Sequence, residues 1–223
     1  MRVLVLSHTT GYQLRAFNDA AETLGVELVF ATDRCHKLDD PWRDRAVPVR
    51  FHELSASLNA IVERHLQQRL DGVIAVGDRP VVLAARAADA IGLEWHPVSA
   101  ALASSDKRRS RAALAAAGLP SPEFSVGQSA IDQRRSAVGF PCVLKPVGLS
   151  GSRGVIRVND EREYAAALER IRALMARPEV RVARTGLEDI VLVERYVDGR
   201  EFAVEGVLTR GALKVFAVFD KPD

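Results

Sequence analysis

Cysteine is scarce in this chain: Cys35 and Cys142 are the only two among 223 residues, with no CxxC pair and no His/Cys cluster at metal-ligand spacing. That argues against a disulfide framework or a zinc site, and both thiols are expected to be buried and free. Aromatic residues make up only 6% of the chain, and none interrupts the basic run "KRRSR" at 107–111. A nucleic-acid surface built on stacking is therefore not expected. An excess of one charge is also lacking, since 31 Lys and Arg stand against 29 Asp and Glu, and no global field points to a polyanion. Long apolar runs are missing too. The first, "RVLVLS", is too short for a secretory core or a membrane span and leads into polar residues, which predicts a cytoplasmic protein with no membrane partner. His8, His36, His52, His65 and His96 show no HExxH or HxH spacing, so no metal role is assigned to them. Trp42 and Trp95 are expected to pack against core or interface.

What is present is a large apolar fraction, 48% of the residues, enough for one large or two modest cores. Over the first hundred residues, strand-like and helix-like patterns alternate, which predicts a parallel α/β layer. "RVLVLS" and "VELVFAT" read as strands. Between them Leu14, Phe17, Ala21 and Leu24 recur on one helical face that ends at Gly25. "RAVPVRF" reads as a third strand, at a sheet edge because of Pro48. A helix with Leu54, Leu58, Ile61, Val62 and Leu66 follows, and "DGVIAVGD" returns to the sheet. Loops after such strands lie at the carboxyl edge, where small molecules bind, so Ser7, His8, Thr9, Gly11, Asp78 and Arg79 are candidate contacts, with caps and turns the alternative. From Ser104 the character changes: a capped helix "KRRSRAALAAAG", a proline-bracketed extended segment, a short helix in "SAIDQRRSAVGFP", and then strands around a glycine-rich loop.

That loop, "LKPVGLSGSRGV" at 144–155, spaces Gly148, Gly151 and Gly154 three apart, with Ser150 and Ser152 between them. Glycines let backbone N–H groups approach phosphate oxygens and permit positive φ. No GK[ST] ends the loop and a strand follows it, so a strand–turn–strand flap is expected in place of helix-dipole capture. Lys145, at the end of the preceding strand, can act as a point charge on the same anion. Further on, "LVERYVDGREFAVE" can hold a base through backbone groups at Glu194, Arg195 and Val197, and a ribose through the carboxylate of Glu201. Any one of these residues alone would read as an ordinary strand or turn position.

Taken in order, "SDKRRSR", "FPCVLKPVGLSGSRGV" and "LVERYVDGREFAVE" resemble the ATP-grasp superfamily, and with the preceding α/β unit the resemblance covers nearly the whole chain. It implies an α/β fold: a Rossmann-like pre-ATP-grasp domain at 1–103, followed by an incomplete α+β ATP-grasp domain. The lysine and glycine-loop subdomain would occupy 104–185, and 186–223 would form the first strands of the second subdomain. The resemblance further implies that Lys107 and Lys145 contact phosphate, that Gly148, Ser150, Gly151, Ser152 and Gly154 form the mobile loop, that Glu194, Arg195, Tyr196 and Val197 hold adenine, and that Glu201 binds ribose. Lys221 resembles a position that contacts phosphate or substrate. Arg111 reads as a helix-surface or structural residue. The implied activity is ATP-dependent carboxylate–amine ligation through an acyl phosphate, with ATP and Mg²⁺ as cofactors and small-molecule carboxylate and amine substrates. The metal ligands are expected beyond residue 223, so the chain alone would bind nucleotide without turnover. The alternative is a catalytically incomplete nucleotide-binding module with a regulatory or assembly role. A homo-oligomer is allowed by the sequence but not specified.

Overall fold

The computed structural model describes residues 1–8, 12–33, 46–127, 138–183 and 185–221. Thr9, Gly11, Cys35, His36, Trp42 and most of the helix expected in "SAIDQRRSAVGFP" lie outside the described residues. The first part of the chain runs β1 (Arg2–Ser7), α1 (Tyr12–Leu24), β2 (Glu27–Thr32), β3 (Ala46–Pro48), α2 (Leu54–Gln67), β4 (Gly72–Val76) and α3 (Val81–Ala90). Its four strands are all parallel, in the order β3-β2-β1-β4. Pro48 does stand on an edge strand, as its missing N–H requires.

The uninterrupted apolar run of β1 follows from burial on both faces. Leu4, Val5 and Leu6 are all fully buried. Val3 and Val5 pack with Leu14 of α1 and Phe30, whereas Leu4 and Leu6 pack with Ile61 of α2 and Leu83 of α3. Two expected core positions are not in it: Leu24 is 74% exposed and Leu66 is 78% exposed. At about 100° per residue, Leu66 lies roughly 140° around α2 from Ile61 and so off the buried face, whereas Leu24 lies about 20° from Phe17 and is exposed as the last residue of α1. Ser57 does share it, at 3% exposure. Its hydroxyl accepts from the Arg50 amide at 2.8 Å and donates to the Arg50 carbonyl at 2.9 Å, which makes a polar group tolerable there.

The second part contains α4 (Val98–Ser105), α5 (Lys107–Ala116), β5 (Phe124–Gly127), β6 (Cys142–Pro146), β7 (Ile156–Val158), α6 (Glu161–Met175), α7 (Pro178–Arg181), β8 (Val191–Arg195), β9 (Glu201–Thr209) and β10 (Ala212–Lys221). An antiparallel sheet forms in the order β5-β8-β6-β7. One face of it is covered by α6, whose Tyr164, Leu168 and Ile171 pack with Cys142, Leu144 and Val193. Asp160 caps α6 by accepting from the Glu163 amide, and Glu163 reaches back to the Asn159 amide. β9 and β10 pair in a separate hairpin, turned at Arg210 and Gly211, both with positive φ. Among the described residues no helix is long and apolar enough to cross a membrane.

Candidate functional site

Asp106 sets the geometry of the site. It stands between α4 and α5, and its carboxylate accepts from the Arg108 amide at 2.9 Å and from the Arg108 guanidinium at 2.7 Å. Burial works against its ionisation, but the Arg108 hydrogen bonds outweigh that and hold its pKa below the ordinary value. α5 therefore starts at Lys107, and Lys107 and Arg111, four residues apart, share one helical face. On the neighbouring sheet Glu194 of β8 stands opposite Val143 of β6, and Lys145, two residues further along β6, has its side chain on the same face.

These residues meet. Glu194 is 2% exposed, and its carboxylate is ion-paired with Arg111 at 2.5 Å and with Lys145. Burial pushes its pKa up, yet the hydrogen bonds from Arg111 and then Lys145 prevail and hold it below the usual glutamate value. Lys107 takes a different set of partners. Its ammonium donates to the backbone carbonyls of Pro146 at 3.3 Å, Val147 at 3.2 Å and Leu149. Burial, and next the nearby charge of Lys145, push the pKa of Lys107 down, against the pull of Asp78, Glu194 and Asp106. Lys107 and Lys145 thus lie close enough to repel, although 38 residues part them in sequence.

The flap joins β6 to β7, which pair antiparallel from Cys142↔Val158 to Leu144↔Ile156. Its base is held by Lys107, and its tip, at Ser150, Gly151, Ser152 and Arg153, is exposed. Gly148 is packed so that a Cβ would stand 3.1 Å from Leu187 Cβ. Across from the flap, the loop after β4 contributes Asp78 and Arg79 to a cleft of about 550 Å³, also lined by Lys107, Gly148, Ser150 and Arg153. Arg79 is anchored beneath it: one guanidinium nitrogen lies 3.3 Å from Asp33 Oδ2 and 3.1 Å from His8 Nδ1, and the other donates to the Ala183 carbonyl at 3.2 Å.

The remaining predicted residues follow the strand out of the sheet. The Arg195 amide donates to the Glu123 carbonyl and the Tyr196 amide to the Pro141 carbonyl. The Arg157 guanidinium lies 3.9 Å from the Tyr196 ring centroid, and Val197 is 66% exposed. Glu201 and Lys221 stand opposite each other in the β9–β10 register and are ion-paired. Of the thirteen nucleotide-site residues read from sequence, Lys145 pairs with Glu194 and Lys221 with Glu201, and Lys107 reaches the flap through the carbonyls of Pro146, Val147 and Leu149. Arg111, read as a helix-surface or structural residue, is a structural one: it pairs with the buried carboxylate of Glu194, a partner that its place four residues after Lys107 did not name. Asp33, which anchors Arg79, was not singled out from sequence at all. Among the described residues no three His, Cys, Asp or Glu cluster as metal ligands.

Comparison with known proteins matches residues 18–93 to the ATP-grasp N-terminal domain and residues 138–223 to the ATP-grasp domain. The carbamoyl phosphate synthase large chain of Thermus thermophilus is 35% identical over 144 residues, which cover 61% of this chain and 14% of that protein. The D-alanine–D-alanine ligase of Marinobacter nauticus is 34% identical over 103 residues, 44% of this chain and 27% of that one. Among solved structures, the L-amino acid ligase from Bacillus licheniformis superposes with a TM-score of 0.75 at 22% identity, covering 99% of this chain and 50% of that one. A carboxyaminoimidazole ribonucleotide synthase from Aspergillus clavatus, complexed with ATP, gives 0.68 at 20% identity, over 100% and 54%. These structural likenesses establish the fold. The chain spans about half of these solved structures and less of the curated relatives.

Proposed function

The chain belongs to the ATP-grasp superfamily, and from that we propose that it carries the ATP-binding part of an ATP-dependent carboxylate–amine ligase. The supporting observation is the convergence of Lys145 and Arg111 on buried Glu194, next to a flap whose base Lys107 holds. A buried carboxylate between two cations holds both side chains in place while no ligand is bound. A triphosphate would find ammonium and guanidinium groups already oriented, the form of catalysis suited to phosphoryl transfer. The flap amides around Gly148, Ser150, Gly151, Ser152 and Gly154 would cover the phosphates. Backbone groups from Glu194 to Val197, with Tyr196 packed beside them, would hold adenine, Glu201 would accept from the ribose hydroxyls, and Lys221 would reach phosphate or substrate.

In the reaction so proposed, a substrate carboxylate oxygen attacks the γ-phosphorus and the bond to the ADP oxygen breaks. An amine then attacks the acyl carbon, phosphate leaves, and the amine loses a proton. Positioning supplies most of the acceleration. Mg²⁺ would neutralise phosphate charge when present, and no step is assigned to it on these residues. Residues 1–103 would serve as the pre-ATP-grasp domain and 104–185 as the lysine and flap subdomain; of the segment 186–223 read as the start of the second subdomain, β8 joins the sheet of β5, β6 and β7, which leaves the β9–β10 hairpin for that role.

A nonhydrolysable ATP analogue with Mg²⁺ is expected to raise the melting temperature of the protein, and Lys145→Ala to remove most of that rise. An equal rise in wild type and Lys145→Ala, or none in wild type, would defeat the nucleotide reading. Analogue binding without phosphate release under any pairing of carboxylate and amine would favour a module that binds nucleotide and does no ligation.

A further inference from the structure

A second cavity, of about 360 Å³, shares Asp78, Arg79, Ser105 and Gly148 with the flap cleft, so the two spaces meet along one wall. Its character differs from that of the cleft. Phe51, Leu54, Val82 and Leu102 give it carbon surface, and none of the four lines the cleft. Its charged lining is three arginines, Arg79, Arg108 and Arg109, with two aspartates, Asp78 and Asp106, and Asp33 pairs with Arg79 from behind the wall. Arg108 and Arg109 both lean on Asp106, at 2.7 and 3.7 Å, so that one carboxylate is shared between two cations and the α5 cap. The size is near the lower end of small-molecule sites, about 300–1,000 Å³.

Arg79 is held by partners from three separate segments of the chain. Asp33, His8 and the Ala183 carbonyl hold its guanidinium, which also lies 5.8 Å from the Phe51 ring centroid. A planar fork fixed in advance loses little freedom when it engages a carboxylate. It also stands on the wall common to both cavities, where a group bound in one would face a phosphate bound in the other.

From this pairing of carbon surface with a guanidinium held in place beside the flap cleft, and resting on the ligase reading above, we infer that the smaller cavity is the acceptor pocket. Its ligand is a small carboxylic acid with an apolar body, and Arg79 reads the carboxylate. Phe51, Leu54, Val82 and Leu102 select for the body by excluding water from it. Asp33 is a positioning residue that acts through Arg79.

Calorimetric titration of the purified protein with 4-methylpentanoate, acetate and 4-methylpentanamide tests this. The acid with the branched chain is expected to bind at least about tenfold more tightly than the amide, the worth of one charge-assisted contact, and at least about tenfold more tightly than acetate, which lacks the apolar body. Arg79→Gln should weaken it by at least about tenfold, with partial recovery in Arg79→Lys. Leu102→Asp, which leaves the Asp33 pair alone and puts a negative charge in the half-buried wall, should weaken it likewise and serves if Arg79→Gln does not fold. Equal affinity for acid and amide, no binding of the acid, or wild-type affinity in a folded Arg79→Gln or Leu102→Asp variant overturns the proposal. These titrations need no nucleotide. An ATP response without the acid selectivity sinks the pocket alone, and acid selectivity without an ATP response sinks the nucleotide reading alone.

Discussion

Glu194 is 2% exposed yet carries charge, because Arg111 and Lys145 both bond to it. Removing one partner from a buried ionic cluster leaves the others uncompensated, so Glu194→Gln is expected to cost about 3 kcal/mol in urea unfolding at neutral pH. The pH dependence has a definite sign. Since folding lowers the pKa of Glu194, its contribution is complete above the ordinary glutamate value, roughly 4.3. It is lost as pH falls through the lower folded value, where the unfolded chain has already taken up the proton. Unfolding curves between neutral pH and the acid range should show this slope in wild type and a shallower one in Glu194→Gln. Lys145 and Glu194 were each legible as motif residues, but the backbone role read for Glu194 omitted its side chain and hence their pairing. Arg111 was not legible as a partner, since an arginine one turn along a helix is ordinarily solvated, and the carboxylate that claims it comes 83 residues later.

In the flap, three evenly spaced glycines read alike in sequence but do different things when folded. Gly154 has φ +75°, and a Cβ there would lie 2.8 Å from Pro146 Cγ and 2.9 Å from Leu174 Cδ2. Gly151 has φ +64° with nothing within 4 Å. Gly154→Ala is therefore expected to destabilise by about 2–4 kcal/mol, adding a packing clash to the left-handed backbone cost, and Gly151→Ala by about 1 kcal/mol, from the backbone alone. Equal losses in chemical denaturation would show that the packing beneath Gly154 contributes nothing. The strand–turn–strand form of the flap was legible because apolar β-branched residues flank the glycines. Which glycine is packed was not, as Pro146 and Leu174 reach it from different elements.

Across the whole molecule, burial divides the chain unevenly. Leu144 is fully buried in the core under α6, whereas Phe216 in the β9–β10 hairpin is 62% exposed. Leu144→Ala is expected to cost about 2–5 kcal/mol, and Phe216→Ser less than about 0.5 kcal/mol, as read by the urea midpoint. β8 pairs between β5 and β6, in the same sheet as the lysine strand, so a division at residue 186 runs between two hydrogen-bonded neighbours. Periodicity showed that β8 exists but not which strand it joins, because pairing is decided between segments far apart in sequence. The strands, the helices α1, α2, α5 and α6, the capping of α5 and α6, the flap and the motif residues were written in the linear chain, since each depends on neighbours within a few positions, whereas α3, α4 and α7 were not read from it. The joining of Lys107 to the flap carbonyls, of Arg111 to Glu194 and of Arg79 to Asp33 and Ala183 needed the folded chain. Those contacts span 39 to 104 positions, and a charged side chain carries no local sign of which distant group will neutralise it.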